Sequence, residues 1–225
     1  MPARNVVKDY VENGYYHLYN RGVDKRDIFL DEQDCVVFLH YLRMYLSPVE
    51  ELLEGNRLGS RIQRLISLNL SKEIDLLSFS LMPNHIHFQV KQYTRDGITK
   101  LMRRVITSYV MYFNKKYKRV GTLFQGIYKA AFIRSEWHHL HLSRYIHLNP
   151  IKVRSPVNFM NFSSYPYYLR KKQVSWIKPE EILSYFKNAN KEGLQDILSY
   201  QSFVEDYLGD SSQIEDLVLE ESCAG

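Results

Sequence analysis

The stretch LLSFSLMPNHIHFQV constrains this chain more than any other part of it. Two runs of alternating apolar residues flank a Pro83-Asn84 turn, so Ile74 to Met82 and His85 to Gln92 are expected to pair as antiparallel strands. On a strand, residues two positions apart share a face, which places His85 and His87 side by side and Ile86 on the opposite side, where it can pack under the sheet. Two adjacent imidazoles make a metal site that lacks one ligand. For an isolated pair the plainer reading is two surface histidines with no ligand. The alternation, the turn and a second segment weigh towards chemistry here.

That second segment is EWHHLHLSRYIHLNPIK. It predicts a helix from about Glu136 to Leu148, stopped by Pro150. Tyr145 and Asn149 stand four residues apart and share a face of such a helix. Brought against the histidine strand, they would add a phenol and an amide oxygen to the two imidazoles, an arrangement suited to cleaving a phosphodiester. A half-open site of mixed nitrogen and oxygen ligands fits a hard or borderline divalent ion, Mg²⁺ or Mn²⁺, with the imidazoles favouring Mn²⁺. A phenol, with its ordinary pKa of about 10, is a weak nucleophile alone. A cation on the phosphate neutralises charge and fixes the line of attack. The aryl phosphate ester so formed keeps the energy of the broken bond, so the reaction can run backwards without a nucleotide. No Walker-type loop or GxGxxG motif occurs, which leaves ATP and dinucleotides without a binding signature.

PNHIHF, SYVMYFNKKY with GTLFQGIYKA, and RYIHLNPIK together resemble the single-tyrosine HUH transposases of the insertion-sequence type, most closely the REP-associated tyrosine transposases. The resemblance runs from about Tyr15 to Leu169. It implies that His85, His87 and Asn149 bind the metal and that Tyr145 is the catalytic nucleophile. It further implies cleavage of single-stranded DNA beside an imperfect-palindrome hairpin, leaving a 5′-phosphotyrosine and a free 3′-hydroxyl, followed by rejoining. Relatives act as monomers or as homodimers, so both states are open for this chain. An alternative within the same fold is a domesticated DNA-binding protein that no longer cleaves. An RNA-binding module of the same sheet type would carry aromatic rings where this chain carries His85 and His87.

The charge distribution agrees with a nucleic-acid partner. Residues 176–225 hold 3 Lys+Arg against 11 Asp+Glu, whereas residues 1–175 hold 27 against 14. Lys91 to Arg134 alone carries 11 basic residues and one acid, Asp96. Arg103, Arg104, Lys115, Lys116, Lys118, Arg119 and Lys129 are therefore candidate DNA contacts, along with Arg21 in the Asn20-Arg21-Gly22 segment. A charge run is more commonly a solvated helix face. Tyr109, Tyr112, Phe113, Tyr117, Phe124 and Tyr128 interleave with it and offer either core or a stacking surface for unpaired bases. No apolar run is long enough for a membrane span and the N-terminus lacks a signal peptide, so a cytoplasmic, nucleoid-associated protein is expected. Cys35 and Cys223 do not suggest a disulfide framework.

The remaining segments set the architecture. Tyr15 to Gly22 alternates as a first strand, and Asp31 caps a helix running to Pro48. Pro48 to Lys72 reads as a loop with a short basic helix around Arg61 to Ile66. Residues from Gly97 to Tyr117 form a long amphipathic helix, and Gln125 to Ile133 a further strand. The order β-α-β-β-α-β-α predicts an α+β, ferredoxin-like antiparallel sheet with two helices on one face, the metal site on the other, and a C-terminal helical extension. Residues 1–175 would be the nuclease domain and 176–225 an acidic extension that packs against it or covers its basic groove. Asn158 to Lys172 reads as an irregular closing segment. His138, His139 and His141 suit capping, packing or phosphate contact better than ligation, and His141, four residues before Tyr145, can reach the phenol or a phosphate. His147 faces away from the tyrosine.

Overall fold

The computed structural model describes residues 10–54, 66–187 and 196–206. Strands β1 (Tyr15–Arg21), β2 (Ile74–Met82), β3 (His85–Gln92) and β4 (Lys129–Phe132) form one antiparallel sheet in the order β2-β3-β1-β4. The helices are α1 (Glu32–Leu46), α2 (Val49–Leu53), α3 (Gly97–Lys116), α4 (Glu136–Leu148), α5 (Tyr165–Tyr168), α6 (Glu180–Lys187) and α7 (Asp196–Glu205). With α1 between the first two strands and α3 between the last two, this is the ferredoxin-like α+β arrangement the sequence predicts.

One face of the sheet is apolar because the alternation puts Tyr16 and Leu18 of β1 there with Ile86, Phe88 and Val90 of β3. Helices α1 and α3 cover it. The Asp31 side chain accepts the Asp34 N–H at 3.0 Å to start α1, whose buried Cys35, Phe38, Leu42 and Tyr45 recur at helical spacing. Ile98, Leu101, Met102, Val105, Tyr109 and Phe113 make the matching stripe of α3. Each such side chain, once buried, stabilises the fold by roughly 1.5–3 kcal/mol.

The opposite face carries His17, Tyr19, Ser78, Ser80, His87 and Gln89, all buried. A bulge between Leu76 and Ser78 is what keeps β2 aligned with this pattern. Leu76 and Phe79 remain in the helix-side core, and the inserted Leu77 turns to the other side, where it meets Tyr165, Tyr168, Ile182, Leu183, Tyr200 and Val204. Helix α4 lies against this face, supported by α6 and α7. The described residues beyond 176 share both cores with the body. Trp176 stacks on Phe79 with ring centres 5.8 Å apart, while Tyr200 and Val204 are fully buried under the polar face.

Two expected elements come out differently, and a third cannot be compared. The strand predicted over Gln125 to Ile133 is only Lys129–Phe132, because Gly126 takes φ +73° and its N–H turns back to the Phe124 carbonyl. The irregular segment after Asn158 contains a 3₁₀ turn, Phe159–Phe162, and the single-turn α5. The basic helix expected around Arg61 to Ile66 lies, apart from Ile66, outside the described residues. Cys35 is a buried free thiol. Among the described residues no helix is long and apolar enough to cross a membrane.

Candidate active site

The polar face meets α4 at the end of the sheet where β2 turns into β3. His85 and His87 project from it with ring centres 4.8 Å apart and planes perpendicular, while Ile86 is fully buried on the other side. The His85 Nδ1 lies 2.6 Å from Asn84 Oδ1 and must donate to it, which leaves the Nε2 lone pair exposed to the site. The His87 Nδ1 lies 2.9 Å from His17 Nε2. Its own Nε2 is buried and has no hydrogen-bond partner. Burial, reinforced by the charge of Arg21 and by His17, holds the His85 pKa down to about 3. Burial and the neighbouring His85, His17 and Arg21 hold His87 well below the ordinary histidine value. Both rings are neutral at pH 7, the form that ligates cations.

Tyr145 approaches from α4. Its ring centre is 5.5 Å from that of His87, edge to face. One turn later Asn149 ends the helix, its backbone N–H donating to the Tyr145 carbonyl and its side-chain Nδ2 buried without a partner. Five buried side-chain polar atoms among the described residues lack partners, and apart from Ser47 Oγ they belong to Arg21, Ser80, His87 and Asn149. Arg21 pairs with His85 across β1 and β3, and Ser80 pairs with His87 across β2 and β3. Buried polar groups are ordinarily bonded, so this grouping marks a place shaped for something else. No three His, Cys, Asp or Glu side chains come together as a ligand set among the described residues.

Two buried polar clusters fix α4 on either side of Tyr145. Near its start, Gln89 Nε2 donates to the His139 carbonyl at 2.8 Å and meets His139 Nδ1 at 3.0 Å, while Ser78 Oγ donates to Gln89 Oε1 at 2.8 Å. Burial lowers the His139 pKa to about 4 despite the nearby Glu181. At its end, His147 joins Tyr200 Oη at 2.7 Å and Ser164 Oγ at 2.6 Å, and Tyr200 donates to Ser143 Oγ at 3.0 Å. His147, as expected, faces away from the tyrosine. Ser135 caps the helix, its Oγ accepting the His138 backbone N–H at 3.2 Å. His141 stacks on Trp137 at 3.9 Å and meets Arg144, so its ring is engaged along α4.

The candidate DNA contacts divide between the two layers. Arg21 and Lys129 belong to the site face, Lys129 with its Nζ 5.8 Å over the Tyr19 ring. The others lie on α3 or just past it, in the opposite layer. Arg103, Lys115 and Lys118 are exposed there. Lys116 instead bridges Asp31 and the fully buried Asp34 at 2.7 and 2.8 Å, Arg104 donates to the Leu68 carbonyl, and Arg119 lies over Phe113. Of the interleaved aromatics, Tyr109, Phe113, Phe124 and Tyr128 are core, and Tyr112 and Tyr117 bond Asp34, so α3 presents little stacking surface. The C-terminal end of α3 nevertheless comes round to the histidine end of the sheet. Lys116 holds Asp31, and the N–H groups of nearby Ile28 and Phe29 bond the carbonyl of Pro83 in the turn before His85.

Residues 50–149, which carry the histidine strand, the basic helix and the tyrosine helix, match the model of a known family, described as transposase IS200 like. Over that span, somewhat under half of its length, the chain is similar to the IS200-like transposases. Among solved structures, the chain is similar to a REP-associated tyrosine transposase bound to a REP hairpin, with 16% identity and a TM-score of 0.47, covering 76% of this chain and 90% of that one. It is also similar to a Deinococcus radiodurans R1 protein provisionally assigned as a transposase, with 16% identity and a TM-score of 0.37, covering 64% and 95%. No curated protein matches it. The role of His17 and the Gln89 and Tyr200 clusters escape sequence reading. His17 does occupy an odd position of an alternating strand, the one local signal that it shares a face with Tyr19.

Proposed function

We propose that this chain is an IS200-like transposase, a metal-dependent single-stranded DNA endonuclease and strand transferase of the REP-associated tyrosine type. The observation that carries the reading is the Tyr145 ring 5.5 Å from His87, whose Nε2 is buried without a partner, with Asn149 one turn further along the same helix, its Nδ2 likewise buried and unpartnered. His85, His87 and Asn149 would hold a divalent ion, Mg²⁺ or Mn²⁺. Their donors fit it, since both imidazoles are neutral and the amide offers its oxygen once rotated about its last bond. Such an ion supplies charge neutralisation and polarisation of the scissile phosphate.

The chain's own groups do the rest. The Tyr145 phenol oxygen forms a bond to phosphorus, the bond from phosphorus to the 3′-oxygen breaks, and that oxygen leaves as a hydroxyl carrying the phenol's proton, directly or through water. The 5′-phosphate stays on the tyrosine. Attack by a 3′-hydroxyl on that ester reverses the sequence and joins strands. The Arg21 guanidinium, with its buried Nε beside His85, is placed to balance phosphate charge, and Lys129 extends the positive field across β4. The Gln89 and Tyr200 clusters hold α4, and so the phenol, in a fixed orientation. Tyrosine and histidines come from one chain, which supports a site complete in a single copy. The likeness of PNHIHF and RYIHLNPIK to the family supplies the hairpin substrate.

The test incubates the wild type and Tyr145→Phe with a pool of labelled single-stranded hairpins in Mn²⁺, Mg²⁺ or EDTA and looks for adducts on a denaturing gel. Metal-dependent adducts from the wild type alone are expected. Binding without adducts under every metal would favour the domesticated DNA-binding protein.

A further inference from the structure

His17 lies outside the ligand set, yet it makes the one hydrogen bond that decides how His87 presents itself. Both side chains are fully buried. Their rings stack with centres 5.1 Å apart, and His17 Nε2 is 2.9 Å from His87 Nδ1. In a bond between two neutral imidazoles one nitrogen donates and the other accepts. If His17 donates, the single proton of His87 sits on Nε2, inside the site, where that atom has no acceptor and no lone pair for a cation. If His17 accepts, the proton sits on Nδ1 and the buried Nε2 keeps a bare lone pair, on a ring whose centre is 5.5 Å from that of Tyr145. Only the second arrangement serves a cation.

We infer that His17 is a positioning residue, a hydrogen-bond acceptor that locks His87 into the Nε2-ligating tautomer. The inference rests on the metal reading above. The outer partner of a ligating histidine normally sets its tautomer and orientation, and its loss typically weakens metal affinity 10–100-fold. A carboxylate or backbone carbonyl usually fills that role, and both would be poorly accommodated here. A carboxylate would be an extra buried charge, and the backbone of β1 is committed to the sheet. An imidazole that accepts the bond through Nε2 does so without adding charge.

Two measurements test this. Long-range ¹H–¹⁵N spectra of metal-free wild type labelled at histidine nitrogens should show His87 protonated at Nδ1 and bare at Nε2; a proton on Nε2 overturns the inference. Calorimetric titration with Mn²⁺ should show at least tenfold weaker binding by His17→Phe, which keeps a ring but cannot accept, and near-normal binding by His17→Gln, whose amide oxygen can. Equal affinity in wild type and His17→Phe also overturns it. If His17→Phe fails to fold, as read by its thermal melt, the wild-type spectrum still decides. A wild type that binds no Mn²⁺ would sink the metal reading of the site, while the spectrum would judge His17 separately.

Discussion

The two faces of the sheet are both buried at their centres and differ in what burial achieves. Towards α1 and α3 the strands offer Leu18, Phe79, Leu81, Ile86, Phe88 and Val90; towards α4 they offer His17, Tyr19, Ser78, Ser80, His87 and Gln89. The apolar face stabilises without direction, since dispersion and the removal of apolar surface from water act at any angle. On the polar face every buried group demands a partner at a set distance. That demand is what orients His139, His147 and, between them, Tyr145. Four atoms on or beside this face remain unpartnered, at Arg21, Ser80, His87 and Asn149. The fold is secured on one side and leaves its unmet bonding on the other, where the chemistry is proposed.

Substitutions can break or sharpen this contrast. The largest loss of stability should come from the apolar face, with Phe88→Ala costing about 3–5 kcal/mol in denaturant unfolding. A loss below about 1 kcal/mol would contradict the role given to that face. On the polar side, Tyr200→Phe keeps the ring but removes the hydroxyl shared by His147 and Ser143. Leaving a buried imidazole nitrogen unpaired should cost about 1–3 kcal/mol. Adduct formation should fall further than the folded fraction does, because the end of α4 is loosened.

The polar face should also make stability pH-dependent. His139 is neutral in the fold, with its pKa lowered to about 4, and takes up a proton in the unfolded chain near the ordinary 6.5. As pH falls through 6.5 towards 4 the unfolded state binds the proton first, so stability is lost on acidification and is fully present above 7. The loss between pH 7 and pH 5 should be about 1–2 kcal/mol for this one residue. Unfolding curves of wild type and His139→Gln at the two pH values measure it, and parallel losses in both would contradict the assignment. The smallest effect on stability should come from Lys118→Ala, exposed past the end of α3, at under about 0.5 kcal/mol. If Lys118 touches a phosphate, DNA binding should weaken and its salt slope should drop by about one. An unchanged slope would place DNA away from that end of α3.

Much of this frame can be read from local pattern. The His-Ile-His alternation places two rings on one face, Asp31 announces α1, and Pro150 ends the tyrosine helix where a proline must. What escapes is whatever depends on residues far apart in the chain. His17 and His87 are 70 positions apart, and nothing near either announces the bond. Lys116 reads as a DNA contact until Asp31 and Asp34, more than 80 residues earlier, are seen to hold it. The amphipathic pattern of α3 tells which side of the helix is buried but not which layer it occupies, so its cations cannot be set relative to the histidines from sequence. The bulge at Leu77 shifts the alternation of β2 through pairing with β3, which no single strand reveals. The acidic composition after residue 176 marks an extension without telling whether it packs on the body or covers the basic groove; the buried Ile182, Leu183, Tyr200 and Val204 pack its described part against the body.

The central claim is that the polar face presents Tyr145, and no other of the 18 tyrosines, to a phosphodiester. The most direct measurement is to form the covalent complex on a hairpin substrate with Mn²⁺, digest the protein with trypsin and the DNA with nuclease, and locate the nucleotide by mass spectrometry. The account predicts a phosphodiester adduct at Tyr145, within the peptide of residues 145–152. A nucleotide on any other tyrosine would contradict it.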